Sequence, residues 1–194
     1  HFVNHVFVCP GNAGTHLEDK VSNVEIDTND FKSIENFCFK EDIKLVIIGP
    51  EQPLVEGLTD HLQSKGIKTF GPSKKAAQLE GSKTFSKDFF KKYNIPTADF
   101  GTFKTKEHTI EFLKKAKHPI VIKADNLASG KGVYICKNLD ESTNAVEEIF
   151  GGKFGYAENI LVEEFLEGEE MSYFIISDGK DFRSFGTAQD LSLI

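Results

Sequence analysis

Short apolar runs alternate with helically spaced apolar positions through the first third of the chain. Residues 5–9 read as a strand that ends in the turn-forming Pro10-Gly11-Asn12-Ala13-Gly14. Phe31, Ile34 and Cys38 recur at i, i+3 and i+7 and mark one helix face, with Asp30 or Asn29 as its N-cap. Residues 43–48 form an apolar run broken only by Lys44 and stopped by Gly49-Pro50, which suits a strand covered on both faces. Leu54, Leu58 and Leu62 repeat every four residues and predict a helix, with Gly66 at its C-cap. Thr69-Phe70 then leads into Gly71-Pro72. Strand, helix, strand and helix at these lengths predict βαβ units and a parallel sheet.

The pattern changes in the middle. Phe85, Phe89 and Tyr93 form a stripe at i, i+4 and i+8, closed by Asn94-Ile95-Pro96. Residues 98–103 suit an edge strand, and Thr105 suits the N-cap of a helix carrying Ile110, Leu113 and Ala116. Strands over 120–124 and 133–136 surround a glycine-rich loop, a hairpin-like arrangement and not a crossover. Asp140 is the expected cap of a helix bearing Val146, Ile149 and Phe150. Residues 160–163 and 171–177 read as strands, with Asp178-Gly179 turning the chain into another strand at 182–187. The predicted fold class is α/β. A βαβ parallel-sheet domain over 1–81 precedes an α+β module with antiparallel pairs over 82–194, the composition changing near Gly81-Ser82.

Composition narrows the functions. The 194 residues are 39% hydrophobic and 27% charged, with a formal net charge of -7. Nucleic-acid backbones demand a basic face, so a general nucleic-acid grip is excluded, whereas a small anion needs only a few local cations. No stretch approaches the roughly 18 apolar residues of a membrane span. Cys9, Cys38 and Cys136 are too few and too scattered for a disulfide framework; they are expected to be buried apolar fillers in a reducing compartment, with the cytoplasm as the expected location. The six histidines have no metal-ligand spacing.

The sharpest chemical signal is the loop from Asn126 to Gly132. Its small residues let the backbone approach a polyphosphate, and Lys123 on the preceding strand adds an ammonium. A glycine-rich hairpin with a solvated lysine would show the same residues. The P-loop pattern is absent, and Gly130-Lys131-Gly132 enters a strand, unlike a dinucleotide fingerprint. Glu163-Glu164-Phe165-Leu166, followed by Gly168-Glu169-Glu170, could read an adenine with strand-edge backbone and a ribose with a carboxylate, or could be surface acidity. Lys83 opens a helix, where a cation is slightly unfavourable, so a phosphate could be its purpose.

In order and spacing these blocks resemble the ATP-grasp superfamily and, within it, the phosphoribosylamine–glycine ligase family. They run from Pro10-Gly11-Asn12-Ala13-Gly14-Thr15 through Gly49-Pro50-Glu51 and Phe70-Gly71-Pro72 to Ala76-Ala77-Gln78-Leu79-Glu80-Gly81-Ser82-Lys83. They continue with Asn94-Ile95-Pro96-Thr97-Ala98, the Lys123 loop, Glu163 to Glu170 and Gln189-Asp190. The resemblance implies an N-terminal βαβ domain followed by part of an ATP-grasp module with an antiparallel lid. It implies that Lys83 and Lys123 grip ATP phosphates, with Lys123 also counted as catalytic. Ala128, Ser129, Gly130, Lys131 and Gly132 would then form the lid. Glu163, Glu164, Phe165 and Leu166 would contact adenine, and Glu170 the ribose. Gly11, Asn12, Ala13, Gly14, Thr15, Gly49, Pro50, Glu51 and Asp190 would line the substrate site.

The implied reaction is ligation of glycine to 5-phosphoribosylamine through a glycyl phosphate, in purine biosynthesis. ATP and Mg²⁺ are the implied cofactors, the metal's ligands being expected outside this sequence. No nucleic-acid or membrane partner is expected, and the oligomeric state is left open. The lid departs from the family pattern at Asn126 and Ser129, both small enough to be tolerated. The family's first strand and its metal-binding half have no counterpart, so the resemblance implies a piece of a longer protein, inactive by itself. Two other readings are a different ATP-grasp carboxylate–amine ligase and a non-catalytic nucleotide-binding module.

Overall fold

The computed structural model describes residues 2–125 and 132–189. Strand β1 (Val6–Val8), the short helix α1 (Ala13–His16) and strand β2 (Val21–Asn23) form the first unit, with β1 and β2 parallel and Val6 opposite Val21. Helix α2 (Phe31–Lys40), strand β3 (Val46–Ile47), helices α3 (Glu51–Glu56) and α4 (Leu58–Ser64) and strand β4 (Thr69–Phe70) form the second, again with a parallel pair, β3 with β4. Both units therefore show the crossover geometry that parallel strands require. Strand β2 had no clear signal in the apolar pattern.

Two expectations change here. The apolar run at 43–48 yields only the two-residue β3, and it is covered on one face. Val46 and Ile48 join Cys38, Leu58, Leu62 and Ile67 in a core, whereas Ile47 is 68% exposed among the described residues. Side chains alternate along a strand, so a continuous apolar run does not by itself prove two covered faces. The stripe Leu54, Leu58 and Leu62 does face that core, but across two helices. Gly57, at φ +101°, breaks them apart and donates its N–H to the Pro53 and Leu54 carbonyls. Only glycine adopts that backbone readily.

Helix α5 (Lys74–Gly81), capped by Ser73, leads to α6 (Lys83–Lys92), capped by Ser82. Strand β5 (Phe100–Phe103), helix α7 (Lys106–Leu113), strands β6 (Ile120–Ala124) and β7 (Val133–Cys136), helix α8 (Leu139–Phe150) and strand β8 (Ile160–Glu164) follow. The four strands form one antiparallel sheet in the order β5-β8-β6-β7, which puts β5 at an edge. Its covered face holds Ile120, Ile122, Ala124, Ile160 and Val162, packed on Leu113, Val146 and Ile149. Burying a side chain such as Ile149 or Val146 contributes roughly 1.5–3 kcal/mol.

Thr105 caps α7 as expected, but Asn138 and not Asp140 caps α8. Asn138 Oδ1 accepts the Glu141 N–H at 3.0 Å, while the Glu141 carboxylate accepts from Lys137 N and Asn138 Nδ2. Asp140 lies inside the first turn, where its charge suits the helix dipole but its side chain is past the cap position. Strands β9 (Met171–Ser177) and β10 (Phe182–Gln189) make a hairpin whose turn is tied by Asp178 Oδ1, which accepts from Lys180 N and Asp181 N. The hairpin is exposed along both strands.

Cys38 and Cys136 are buried, whereas Cys9 is only half-buried, its thiol donating to the Ile26 carbonyl at 3.1 Å. The expectation of three buried fillers holds for two. Among the described residues no helix is long and apolar enough to cross a membrane.

Candidate functional site

Strand alternation builds the site. Ile120, Ile122 and Ala124 turn into the core, so Lys123 faces the other way; on β8, Leu161 and Glu163 do the same. Val121 pairs with Glu163, and Lys123 with Leu161, so Lys123 and Glu163 are diagonal neighbours on one face. Lys123 Nζ lies 2.5 Å from Glu163 Oε2.

The other Glu163 oxygen, Oε1, is taken by Lys87 on α6. Lys87 also donates to Thr97 Oγ1 at 2.5 Å and to the Ala98 carbonyl at 3.3 Å, and its Nζ stands 5.5 Å from the centre of the Phe100 ring. One carboxylate thus bridges two ammonium groups of different character. The Lys87 side chain is 9% exposed and has all its hydrogen-bonding capacity engaged by protein. That of Lys123 is 30% exposed, which leaves it open to a ligand.

Lys83 stands one helical turn before Lys87, at the start of α6. Burial pulls its pKa below the ordinary lysine value. Asp125 opposes that shift, Lys123 adds to it by like-charge repulsion, and Glu80 and Glu163 oppose it more weakly. A desolvated ammonium beside a second ammonium is favoured by an incoming anion, which would relieve both penalties. Asp125 itself accepts from Thr84 N at 3.2 Å and Asn159 Nδ2 at 3.3 Å, with Ser82 Oγ donating across 3.3 Å to Oδ1.

The buried positions of α6 are polar. Ser86 and Lys87 are buried, while Phe85 and Tyr93 of the aromatic stripe are exposed. Phe89, the middle residue of the stripe, is half-buried.

Of the expected lid, Ala128, Ser129, Gly130 and Lys131 lie outside the described residues, as does Asp190. Gly132 is described, and its carbonyl accepts the Ala124 N–H at 2.8 Å. Glu163 is buried, while Glu164 at the end of β8 is exposed and donates its N–H to the Asp99 carbonyl at 2.9 Å. Phe165 is half-buried and Leu166 exposed. Glu170 lines an open depression of about 250 Å³ with Glu169, Met171, Thr187, Ala188 and Gln189, a lining that includes none of the lysines.

The N-terminal turn holds itself together. Asn12 Oδ1 accepts from Gly14 N and Thr15 N, and Thr15 Oγ1 accepts from Asn12 N. Asn23, at the end of β2, locks the turn from outside: its Oδ1 accepts from Thr15 Oγ1 at 2.7 Å and its Nδ2 donates to the Asn12 carbonyl at 2.8 Å. Gly11, at φ +81°, leaves no room for a Cβ, which would fall 2.2 Å from Asn23 Oδ1. Gly49, Pro50 and Glu51 follow β3 as the turn of 11–15 follows β1. Both sets sit at the carboxyl ends of parallel strands, where α/β sheets bind ligands.

Lys87, Asp125 and Asn23 were not marked as site residues by the sequence. For Lys87 a local sign exists, its i+4 spacing from Lys83. Asp125 and Asn23 act through partners 34 to 43 and 8 to 11 residues away, which no local pattern reveals.

An antiparallel sheet carries the lysine–glutamate pair on the face away from its core and follows two parallel strand pairs. The chain matches in fold the biotin carboxylase domain of Hydrogenobacter thermophilus 2-oxoglutarate carboxylase, solved in complex with MgADP, with a TM-score of 0.70 at 19% identity, over 95% of this chain and 44% of that one. That likeness concerns the fold alone. Residues 81–194 match the family of the phosphoribosylglycinamide synthetase ATP-grasp (A) domain, and residues 1–80 that of the phosphoribosylglycinamide synthetase N domain. The chain belongs to the phosphoribosylglycinamide synthetase family.

It is 48% identical over 187 residues to the phosphoribosylamine–glycine ligase of Pasteurella multocida, a match covering 95% of this chain and 44% of that protein. The crystal structure of phosphoribosylamine–glycine ligase from Thermotoga maritima superposes with a TM-score of 0.72 at 31% identity, covering 93% of this chain and 42% of that one. The chain thus spans less than half the length of these relatives.

Proposed function

We propose that this chain serves the ATP-dependent ligation of glycine to 5-phosphoribosylamine, giving glycinamide ribonucleotide, ADP and phosphate in purine biosynthesis. The observation that carries this reading is the pairing of a desolvated Lys83 with a partly exposed Lys123, whose ammonium is oriented by the buried Glu163. Family membership supports the identity of the substrates. The division into an N-terminal substrate domain over 1–81 and an ATP-grasp part over 82–194 belongs to the same proposal.

The donor set suits a nucleotide polyphosphate: two ammonium groups with burial and repulsion to relieve, at the base of a loop of small residues. When bound, ATP supplies the phosphoryl group that activates the glycine carboxylate for attack by the amine. The chain's own residues position and neutralise. Lys83 and Lys123 hold phosphate oxygens, with Lys123 poised at the group being transferred. Glu163 fixes the direction of Lys123, and Lys87 fixes Glu163. The backbone of Glu163, Glu164, Phe165 and Leu166 reads adenine, and Glu170 the ribose. Ala128 to Gly132 contact the phosphates, while the turns at 11–15 and 49–51, with Asp190, take glycine and phosphoribosylamine.

Among the described residues no group of three or more His, Cys, Asp or Glu side chains could hold a metal ion. Mg²⁺ belongs to the proposal as a partner of the nucleotide phosphates, its protein ligands being expected outside this sequence. Free thiols in this chain fit a reducing compartment, and the cytoplasm is the proposed location.

The test is coupled ADP release by the full-length protein, omitting glycine or phosphoribosylamine in turn. Release independent of both substrates would refute the proposal.

A further inference from the structure

We propose that Asp125 is a positioning residue of the nucleotide site, fastening the end of β6 to the N-terminus of α6 and so fixing Lys83 against Lys123. The inference rests on the reading of these lysines as the phosphate grip. Asp125 directly follows β6. Its backbone N–H donates to the Asn159 carbonyl at 3.1 Å, extending the β6–β8 pairing by one step. Its side chain gathers three donors, Nδ2 of the same Asn159 and, from the start of α6, Ser82 Oγ and Thr84 N.

Ser82 already caps α6, its Oγ accepting the Phe85 N–H at 3.1 Å. A neutral cap would suffice for the helix alone. What the carboxylate adds is negative charge at the helix N-terminus, beside two ammonium groups that repel each other. Lys83 lies between the two residues that Asp125 holds, so its backbone cannot shift without breaking one of those bonds. The charged groups acting on Lys83 are Lys123 from β6, Asp125 just after that strand, Glu80 from α5 and Glu163 from β8, with Lys87 one turn along α6 itself. Asp125 is the strongest of these that favours the protonated amine, and it does so before any nucleotide is present.

The experiment compares Asp125→Asn and Asp125→Ala with the unaltered full-length protein. The first readout is the pH dependence of Lys83 acylation without nucleotide, followed by peptide mass spectrometry. The second is the split between KM for ATP and kcat. Asp125→Asn keeps an acceptor for Thr84 N but loses the charge. The expected result is a Lys83 titration midpoint displaced to lower pH and an ATP KM raised about tenfold, with kcat changed much less. Asp125→Ala is expected to show the same displacement together with a lower Tm. A midpoint that stays in place in Asp125→Asn overturns the inference, even if both variants lose Tm. An unchanged ATP KM in Asp125→Asn overturns its nucleotide part. Failure of the unaltered protein to depend on ATP would instead remove the proposed function, and the midpoint would still decide the role of Asp125.

Discussion

Two buried carboxylates, one in each half of the chain, solve the same problem with different consequences. Glu35 on α2 accepts from Lys32 at 2.5 Å and pairs with His61 on α4 at 3.0 Å. Glu163 on β8 bridges Lys87 on α6 and Lys123 on β6. Each uses both oxygens, Glu163 on two ammonium groups and Glu35 on one ammonium and one imidazole nitrogen. Lys32, however, is 67% exposed and comes from the same helix, one turn away, so its charge stays solvated whether or not Glu35 is there. His61 packs beside the Phe31 ring, and the cluster joins α2 to α4. Around Glu163 one partner is buried and the other is held at the edge of solvent. A buried cation must keep its counter-ion, because desolvation without a partner costs several kcal/mol. The lesson is that the exposure of the cations, more than the burial of the carboxylate, separates a helix fastener from a site.

The largest test of that contrast is Glu163→Ala, which strands the Lys87 ammonium. A loss of roughly 3–5 kcal/mol is expected, read from chemical denaturation. The double change Lys87→Met with Glu163→Leu should recover most of it; if the double variant is as unstable as Glu163→Ala, the stranded charge is not the cause. Next is Lys123→Ala, which removes the exposed member of the pair. Nucleotide binding should weaken by roughly 1.5–3 kcal/mol by calorimetry, with stability changed far less. Equal affinity in that variant would make the lysine a solvated strand residue.

A smaller effect is expected at Glu35. The hydrogen bond from Lys32, opposed by burial and aided by the charges of Lys32 and Lys65 and by His61, holds its carboxyl below the ordinary range. A carboxyl so lowered contributes stability that is present above its unfolded value and disappears as pH falls through its folded value. Glu35→Gln should therefore flatten the acid side of the stability profile, lowering stability at neutral and alkaline pH and leaving the acid extreme unmoved. A parallel shift of the whole profile would contradict this. The smallest effect belongs to Lys32→Ala, whose exposed ammonium should change Tm little at neutral pH. A loss matching that of Glu163→Ala would erase the distinction between the two clusters.

Lys83 gives the comparison an alkaline counterpart. Its pKa is lowered in the fold, so folding is penalised at pH below that value, and the penalty is relieved as pH rises through it. Binding of an anion has the opposite dependence. Nucleotide affinity is expected to fall as pH rises through the lowered Lys83 value, and binding measured across the alkaline range checks it.

Much of the local structure was legible. The strands at 120–124, 133–136 and 171–177, the caps Asp30 and Thr105 and the Asp178-Gly179 turn follow from spacing and turn chemistry. The single-face exposure of β3, the break at Gly57 and the choice of Asn138 over Asp140 did not. Each turns on where a neighbouring element sits or on a one-residue difference in backbone conformation, and residue type alone leaves both open. The same limit applied to α6, where spacing picks out Phe85, Phe89 and Tyr93 but the buried residues are Ser86 and Lys87.

The sequence by itself determined the order of elements, the alternation that sends Lys123 and Glu163 to one side of a sheet, and the family to which the chain belongs. Those depend on spacing within a few residues, and on motifs in a fixed order. Only the tertiary structure decided that Glu163 would be shared with Lys87, that Lys83 would be desolvated beside Lys123, and that Asp125 would reach Ser82 and Thr84 across some forty residues of chain. Charge pairing acts through space at a few ångströms, and which ammonium meets which carboxylate is settled by packing.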